Sequence, residues 1–240
     1  MDNVKSFLNY LKVYKNYSEL TIKNYYNDLT EFSLYIKKDL TKVKKEDIKS
    51  YLKYLFDKDN SNRTVSRKIS TLKSFYKYLK ENDVVKFNPA LSIKYPKADK
   101  KLPNFVPYNE LESMINATKK DTFYERDDLI IELMYATGVR VSELVNIKLD
   151  DIDFETNSIR ILGKGSYMRT VYFGEYARDA IFKYMHGLRK KLLNGKESEY
   201  LFLNKNGNNI TTRGIQKIID KIVSETEVKT KVSPHTLRHT

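Results

Sequence analysis

Three short stretches in the second half of this chain carry residues suited to phosphate chemistry. In Ala136-Thr137-Gly138-Val139-Arg140-Val141-Ser142-Glu143-Leu144, Gly138 can end one helix and Ser142 can cap the next. Arg140 then sits in a tight corner, which holds a long side chain more firmly than open surface does, and Glu143 can orient it. Its planar guanidinium can take two phosphate oxygens together, which a lysine cannot. A purely structural Arg140–Glu143 pair pinning the corner reads equally well from these residues alone. Lys164 stands in a turn between Gly163 and Gly165. Small neighbours let such a turn lie close to a phosphate backbone with the ammonium reaching forward. It is no P-loop, because Ser158 occupies the place of the first glycine and no Ser or Thr directly follows the lysine. A plain exposed turn lysine is the simpler alternative.

The sharpest signal is Ser233-Pro234-His235-Thr236-Leu237-Arg238-His239. Serine followed by proline opens a helix, and His235 and Arg238, three apart, then share one face. Imidazole, guanidinium and the free N–H groups of a helix start together suit an anion. A solvated helix start is the alternative. His239 points elsewhere and reads as a core or supporting residue.

These residues need elements to hold them. The first part reads as four helices: one over Val4, Phe7, Leu8 and Leu11; one opening at Ser18 and running from Ile22 to Ile36; one over Ile48, Tyr51, Leu52 and Leu55; and one from about Ser61 to Leu79. On the fourth, Val65, Ile69, Leu72, Tyr76 and Leu79 fall on one face, and Arg63, Arg67, Ser70, Ser74 and Lys77 on the other. A helix is slim enough to enter the major groove of DNA, so the second face is a candidate DNA-binding surface, with an ordinary solvated face as the alternative. A segment with Pro89, Pro96 and Pro103 and a lysine cluster follows, read as an extended, solvated linker over 89–104 between domains at 1–88 and 105–240. Beyond it the pattern predicts helices over about 109–118, 124–137 and 142–147, and a hairpin of Ser158–Leu162 and Arg169–Phe173. Further helices are predicted over about 175–193 and 212–225, with one beginning at Ser233-Pro234. The expected fold is an all-α domain followed by a mixed, mainly α domain with a small antiparallel sheet.

Composition bounds the function. The chain has 240 residues and a net charge of +13. Residues 1–103 hold 23 Lys and Arg against 12 Asp and Glu, whereas residues 104–240 hold 21 against 19. A basic half beside a near-neutral half suggests a module that grips a polyanion joined to something else. A lysine-rich surface with no such role is the bland alternative. The chain has no cysteine and only three histidines, which rules out thiolate sites and leaves little material for a histidine-built metal site. No apolar run is long enough to span a bilayer, and the start, MDNVKSFLNYLKVYK, is not a secretory signal. A cytoplasmic location is expected.

With these residues in view, the whole chain resembles the tyrosine recombinase (phage integrase) family, most closely its Xer type. Ser18, Thr21, Tyr25, Asp28, Leu29 and Phe32, with Arg63-Thr64, Arg67, Ile69-Ser70, Leu72 and Phe75, resemble the family's helical, SAM-like core-binding domain. ATGVRVSEL resembles the segment holding the first catalytic arginine, LGKG the hairpin with the catalytic lysine, and HTLRH the His-x-x-Arg box. The resemblance thus implies catalytic roles for Arg140, Lys164, His235 and Arg238, with Glu143 and His239 in support. It also implies a clamp of two domains around duplex DNA, recombinase partner subunits, a tetramer on paired sites and no cofactor or metal.

The resemblance further implies transesterification through a 3′-phosphotyrosyl intermediate. The family pattern continues past the His-x-x-Arg box with a Gly-His pair and then the nucleophilic tyrosine. None of the 19 tyrosines lies after Arg238. The expectation is that the chain stops before its nucleophile and binds DNA without cleaving it. Two alternatives stay open: a natural DNA-binding fragment, and an integrase of a phage or transposon rather than a chromosome-dimer recombinase.

Overall fold

The computed structural model describes residues 2–97, 105–119, 121–163 and 167–238. The chain divides into two compact units, Met1–Lys101 and Leu102–Thr240, each with its own apolar core.

The first unit consists of α1 (Asp2–Val13), α2 (Glu19–Ile36), α3 (Lys45–Asp57) and α4 (Asn62–Glu81). Two of these helices start where the sequence places a serine cap. Ser18 Oγ accepts the Thr21 N–H at 3.3 Å, and Ser61 Oγ accepts the Thr64 N–H at 3.2 Å. The helices bury the faces their periodicity dictates, around Phe7, Phe32, Tyr51, Phe75 and Tyr76. Aromatic edges and faces meet there, as for Phe7 against Phe75 and Phe32 against Tyr51. The segment after α4 departs from the solvated linker expected over 89–104. Ala90 and Ile93 are buried in this same core, and Asn88 ties the segment to α4 by donating to Lys73 O. The prolines bend the segment, but its small and branched apolar residues still find a place against α4. Of the expected linker, residues 98–104 lie outside the described residues.

The second unit is built around α6 (Tyr124–Thr137), whose Leu129, Ile130, Ile131, Leu133 and Met134 are all buried. From Leu129 to Met134 this helix is buried on nearly every side, which belongs at the centre of a core, and its charged first turn buries Arg126 paired with Asp127. Packed around it are α5 (Tyr108–Thr118), α7 (Val141–Leu144), α8 (Glu175–His186), α9 (Leu188–Leu193), α10 (Thr212–Ser224) and α11 (Pro234–Arg238). Three strands, β1 (Ile152–Asp153), β2 (Ser158–Leu162) and β3 (Met168–Tyr172), form an antiparallel sheet in that order. Ile159 and Ile161 point into the core and lie opposite Val171 and Arg169. Directly opposite residues share a face, so the register turns Arg169 inward.

Two boundaries differ from the sequence reading. The helix expected at 175–193 breaks at Gly187, where the Glu125 carboxylate accepts the Leu188 N–H at 2.6 Å and a Cβ would collide with Glu125 Oε2. The helix expected at 142–147 is a single turn that starts at Val141, so Ser142 lies inside it and is not its cap. Among the described residues, no helix is long and apolar enough to cross a membrane.

Candidate active site

The site grows from the corner between α6 and α7. Gly138 ends α6 in the left-handed region, at φ +59°, which glycine adopts without steric cost. Two residues later Arg140 precedes α7, and its own N–H is accepted by Glu143 Oε2 at 2.8 Å. The glutamate thus fixes the residue before α7 by its N–H, whereas no side chain among the described residues caps the helix in the way expected of Ser142. The Arg140 side chain returns to the same carboxylate, with Nη1 2.8 Å from Glu143 Oε1. The Arg140–Glu143 pair read from the sequence is therefore present, and it is asymmetric: the Glu143 side chain is 4% exposed and that of Arg140 54%.

The hairpin of β2 and β3 closes on this corner. Gly163 N–H donates to Tyr167 O at 2.8 Å across the base of the turn. From β3, Arg169 grips Glu143 with both ends of its guanidinium, Nη1 to Oε1 at 2.9 Å and Nη2 to Oε2 at 2.8 Å. The Arg169 fork, reinforced by the backbone and side chain of Arg140, holds the Glu143 carboxyl down at about 2 despite its burial. Glu143 in turn pushes the Arg169 pKa up. Lys164, in the turn itself, lies outside the described residues, as does His239.

The third motif arrives through α11. Ser233 caps it as the sequence predicts, accepting the Thr236 N–H at 3.2 Å. Thr236 and Leu237 are buried and His235 is exposed. Arg238 runs along the end of α6: a Cβ placed on Gly138 would lie 3.6 Å from Arg238 O and 4.0 Å from its Cγ. The Arg238 Nη1 atom is buried and has no hydrogen-bond partner among the described residues. A buried guanidinium nitrogen without an acceptor is costly in a folded protein unless an anion completes it. Stretches far apart in sequence thus meet at one corner, which brings together Arg140, Glu143, the hairpin base and Arg238.

The face of α4 is partly committed within the first unit. Arg67 pairs with Asp28, a side chain 4% exposed, which also accepts from Lys68 Nζ at 3.2 Å and Thr71 Oγ1 at 3.0 Å. Ser70 Oγ lies 3.0 Å from Ser66 O and 3.3 Å from the Tyr95 hydroxyl. Ser74 neighbours Tyr25, and Lys77 sits 3.7 Å from Glu81. Arg63 is exposed and holds no salt bridge among the described residues. Sequence reasoning missed Arg169 as a site residue. Its one visible signal was an arginine at an inward position of an alternating strand.

Residues 104–240 match the phage integrase family and residues 4–83 match the phage integrase N-terminal SAM-like domain. The chain belongs to this family, that of the tyrosine recombinases. It is 41% identical to the tyrosine recombinase XerC of Staphylococcus aureus (strain JH9) over 240 residues, covering 98% of this chain and 80% of that protein. It is likewise 41% identical to the tyrosine recombinase XerC of Staphylococcus haemolyticus (strain JCSC1435), with the same coverage. Among solved structures, a XerA recombinase aligns with 100% of this chain and 82% of its own at 25% identity and a TM-score of 0.52. A lambda integrase dimer bound to a COC′ core site shares the fold at a TM-score of 0.78 and 13% identity, over 99% of this chain and 67% of its own. The family activity is site-specific recombination by cleaving and rejoining DNA strands, and this chain is XerC-like within it.

Proposed function

We propose that the corner of α6, α7, the hairpin and α11 clamps a DNA phosphodiester for attack by a tyrosine. The observation that carries this reading is the convergence of Arg140 and Arg238 on one corner, with a buried Arg238 nitrogen that has no hydrogen-bond partner among the described residues. Arg140 and Arg238 neutralise the non-bridging oxygens, whose charge grows in the transition state, and His235 donates a hydrogen bond to them. A tyrosine hydroxyl gives its proton to water and its oxygen bonds to phosphorus as the bond to the 5′-oxygen breaks, and Lys164 gives that leaving oxygen its proton. The product is a 3′-phosphotyrosyl link, which a 5′-hydroxyl reverses. Glu143 and His239 support the clamp. Arg63, Arg67, Ser70, Ser74 and Lys77 contact the duplex, Arg67 being held in place by Asp28.

In this reading the DNA core-binding domain includes the segment of Ala90 and Ile93 that packs on it, the catalytic domain is residues 105–240, the partners are further recombinase subunits, four on paired DNA sites, and the location is the cytoplasm. The lambda integrase tetramer bound to a Holliday junction supports the assembly by likeness of fold. The 240 residues carry no nucleophile in this scheme, because every tyrosine precedes the His-x-x-Arg box. Two experiments on nicked duplex substrates test it. The 240-residue polypeptide binds such a duplex without a covalent adduct, and joining the segment that the family pattern places after the His-x-x-Arg box restores the adduct. A gel-stable adduct from the 240 residues alone makes one of the present tyrosines the nucleophile. In the cleaving form, Lys164→Ala is rescued by sulfur at the 5′-bridging position, since a thiolate leaves without a proton. Equal slowing on both substrates removes Lys164 from the role of acid.

A further inference from the structure

We infer that Arg169 is a positioning residue of the phosphate clamp: it takes up the negative charge of Glu143, so that Arg140 meets the phosphate as an uncompensated cation. The inference rests on the clamp proposed above and adds a residue to it.

Glu143 lies against Arg140, and a carboxylate alone with one guanidinium cancels it. Nearly all of Glu143 is buried, so solvent screens that cancellation little. Arg169 restores a net positive charge. It is the better partner of the two, offering two parallel hydrogen bonds, whereas the Arg140 side chain offers one. The remaining guanidinium donors of Arg140 hold no hydrogen bond among the described residues, and its side chain is the more exposed, 54% against 29% for Arg169. One arginine is thereby spent on the carboxylate, and the other is aimed by it.

The surrounding backbone is shaped for this contact. A Cβ on Gly163 would lie 3.3 Å from Arg169 Nη1, 3.7 Å from Glu143 Oε1 and 3.2 Å from Tyr167 O. Glycine at this position lets the hairpin base come in beside the carboxylate. The sheet register supplies the other half, since only an inward position on β3 can deliver the guanidinium there.

The test uses the cleaving form, the 240 residues joined to the segment that the family pattern places after the His-x-x-Arg box, in single-turnover cleavage of a duplex with either an ordinary phosphodiester or a neutral methylphosphonate at the scissile position. The methylphosphonate lacks the charge that Arg140 neutralises. Arg169→Leu is expected to slow cleavage of the ordinary substrate about 100-fold, the scale of a misplaced catalytic group, with duplex affinity changed less than about 3-fold. On the methylphosphonate the defect shrinks in parallel with that of Arg140→Ala, and Arg169→Lys recovers part of the ordinary rate because it keeps the charge. The same loss on both substrates overturns the inference and leaves Arg169 a support of the fold. A second arm needs no catalysis. In the 240-residue chain the Glu143 carboxyl, followed by carbon-13 NMR, titrates near 2, and in Arg169→Leu it moves up toward the ordinary carboxylate range. An unmoved midpoint also overturns the inference. If the parent cleaves neither substrate, the clamp reading fails, and the titration still decides whether Arg169 holds Glu143.

Discussion

Glu143 and Asp28 are buried carboxylates that hold arginines of the two candidate surfaces, and each makes a prediction about a single residue. Glu143 is drawn down to about 2 in the folded state, chiefly by Arg169. A depressed carboxylate stabilises the fold above its unfolded pKa of about 4.3, and this contribution fades as pH falls toward about 2. Glu143→Gln should therefore cost about 2–3 kcal/mol near neutral pH, the scale of hydrogen bonds to charged groups. Denaturant unfolding of parent and variant should show the gap closing in acid. A gap that stays constant down to the acid limit contradicts the charge account. In the first unit, Asp28 accepts from Arg67, Lys68 and Thr71 while almost fully buried. Removing it leaves Lys68, itself 5% exposed, with Glu31 as its one ionic partner among the described residues. Asp28→Ala is expected to destabilise the chain by about 3–5 kcal/mol, the usual cost of breaking a buried pair. A loss under about 1 kcal/mol, the scale of surface pairs, means that water already shares the site.

Whole elements were legible where their signals are local. Ser18, Ser61 and Ser233 each cap the helix their sequence neighbourhood announces, and the alternating apolar faces of α1 to α4 are the ones buried. Ser61→Ala should cost about 1 kcal/mol, typical of a lost cap, seen as a lower midpoint in thermal unfolding of the first unit. No change means that Thr64 closes the helix end without it. Signals supplied by distant residues were not legible. Gly187 breaks a helix because Glu125, in α6, captures the next N–H, and α7 starts at Val141 because Glu143, held by Arg169, caps Arg140. The stretch around Ala90 and Ile93 read as linker because proline and lysine dominate it, while its burial depends on α4. In the candidate site, Arg140, Glu143 and Arg238 were readable as types of residue at telling spacings. Arg169 was not, since its role exists only once the register of β2 and β3 turns it inward. Along α4, the spacing showed which residues share a face but could not show that Asp28 holds Arg67.

At the scale of the molecule, two cores and an uneven charge divide the labour. The first unit has its own buried cluster and most of the excess positive charge. Produced alone, residues 1–98 should unfold cooperatively and keep most of the non-specific affinity for duplex DNA. That affinity should fall steeply with salt, and Arg63→Ala should lower the slope of log affinity against log salt by roughly one. An unchanged slope removes Arg63 from the phosphate backbone.

In the proposed function the second unit supplies the chemistry, with Arg140 and Arg238 acting on one phosphate. The direct measurement is the rate of covalent adduct formation on a nicked duplex, taken with the cleaving form, in which the segment of the family pattern after the His-x-x-Arg box is joined to the 240 residues, and with DNA saturating. Arg140→Ala and Arg238→Ala should each slow the adduct by at least about 100-fold, the scale of a lost oxyanion contact, while duplex affinity stays within a few-fold of the parent. The double variant should lose far less than the product of the two single losses, because the residues work as a unit. Adduct formation at the parental rate in either single variant contradicts the account.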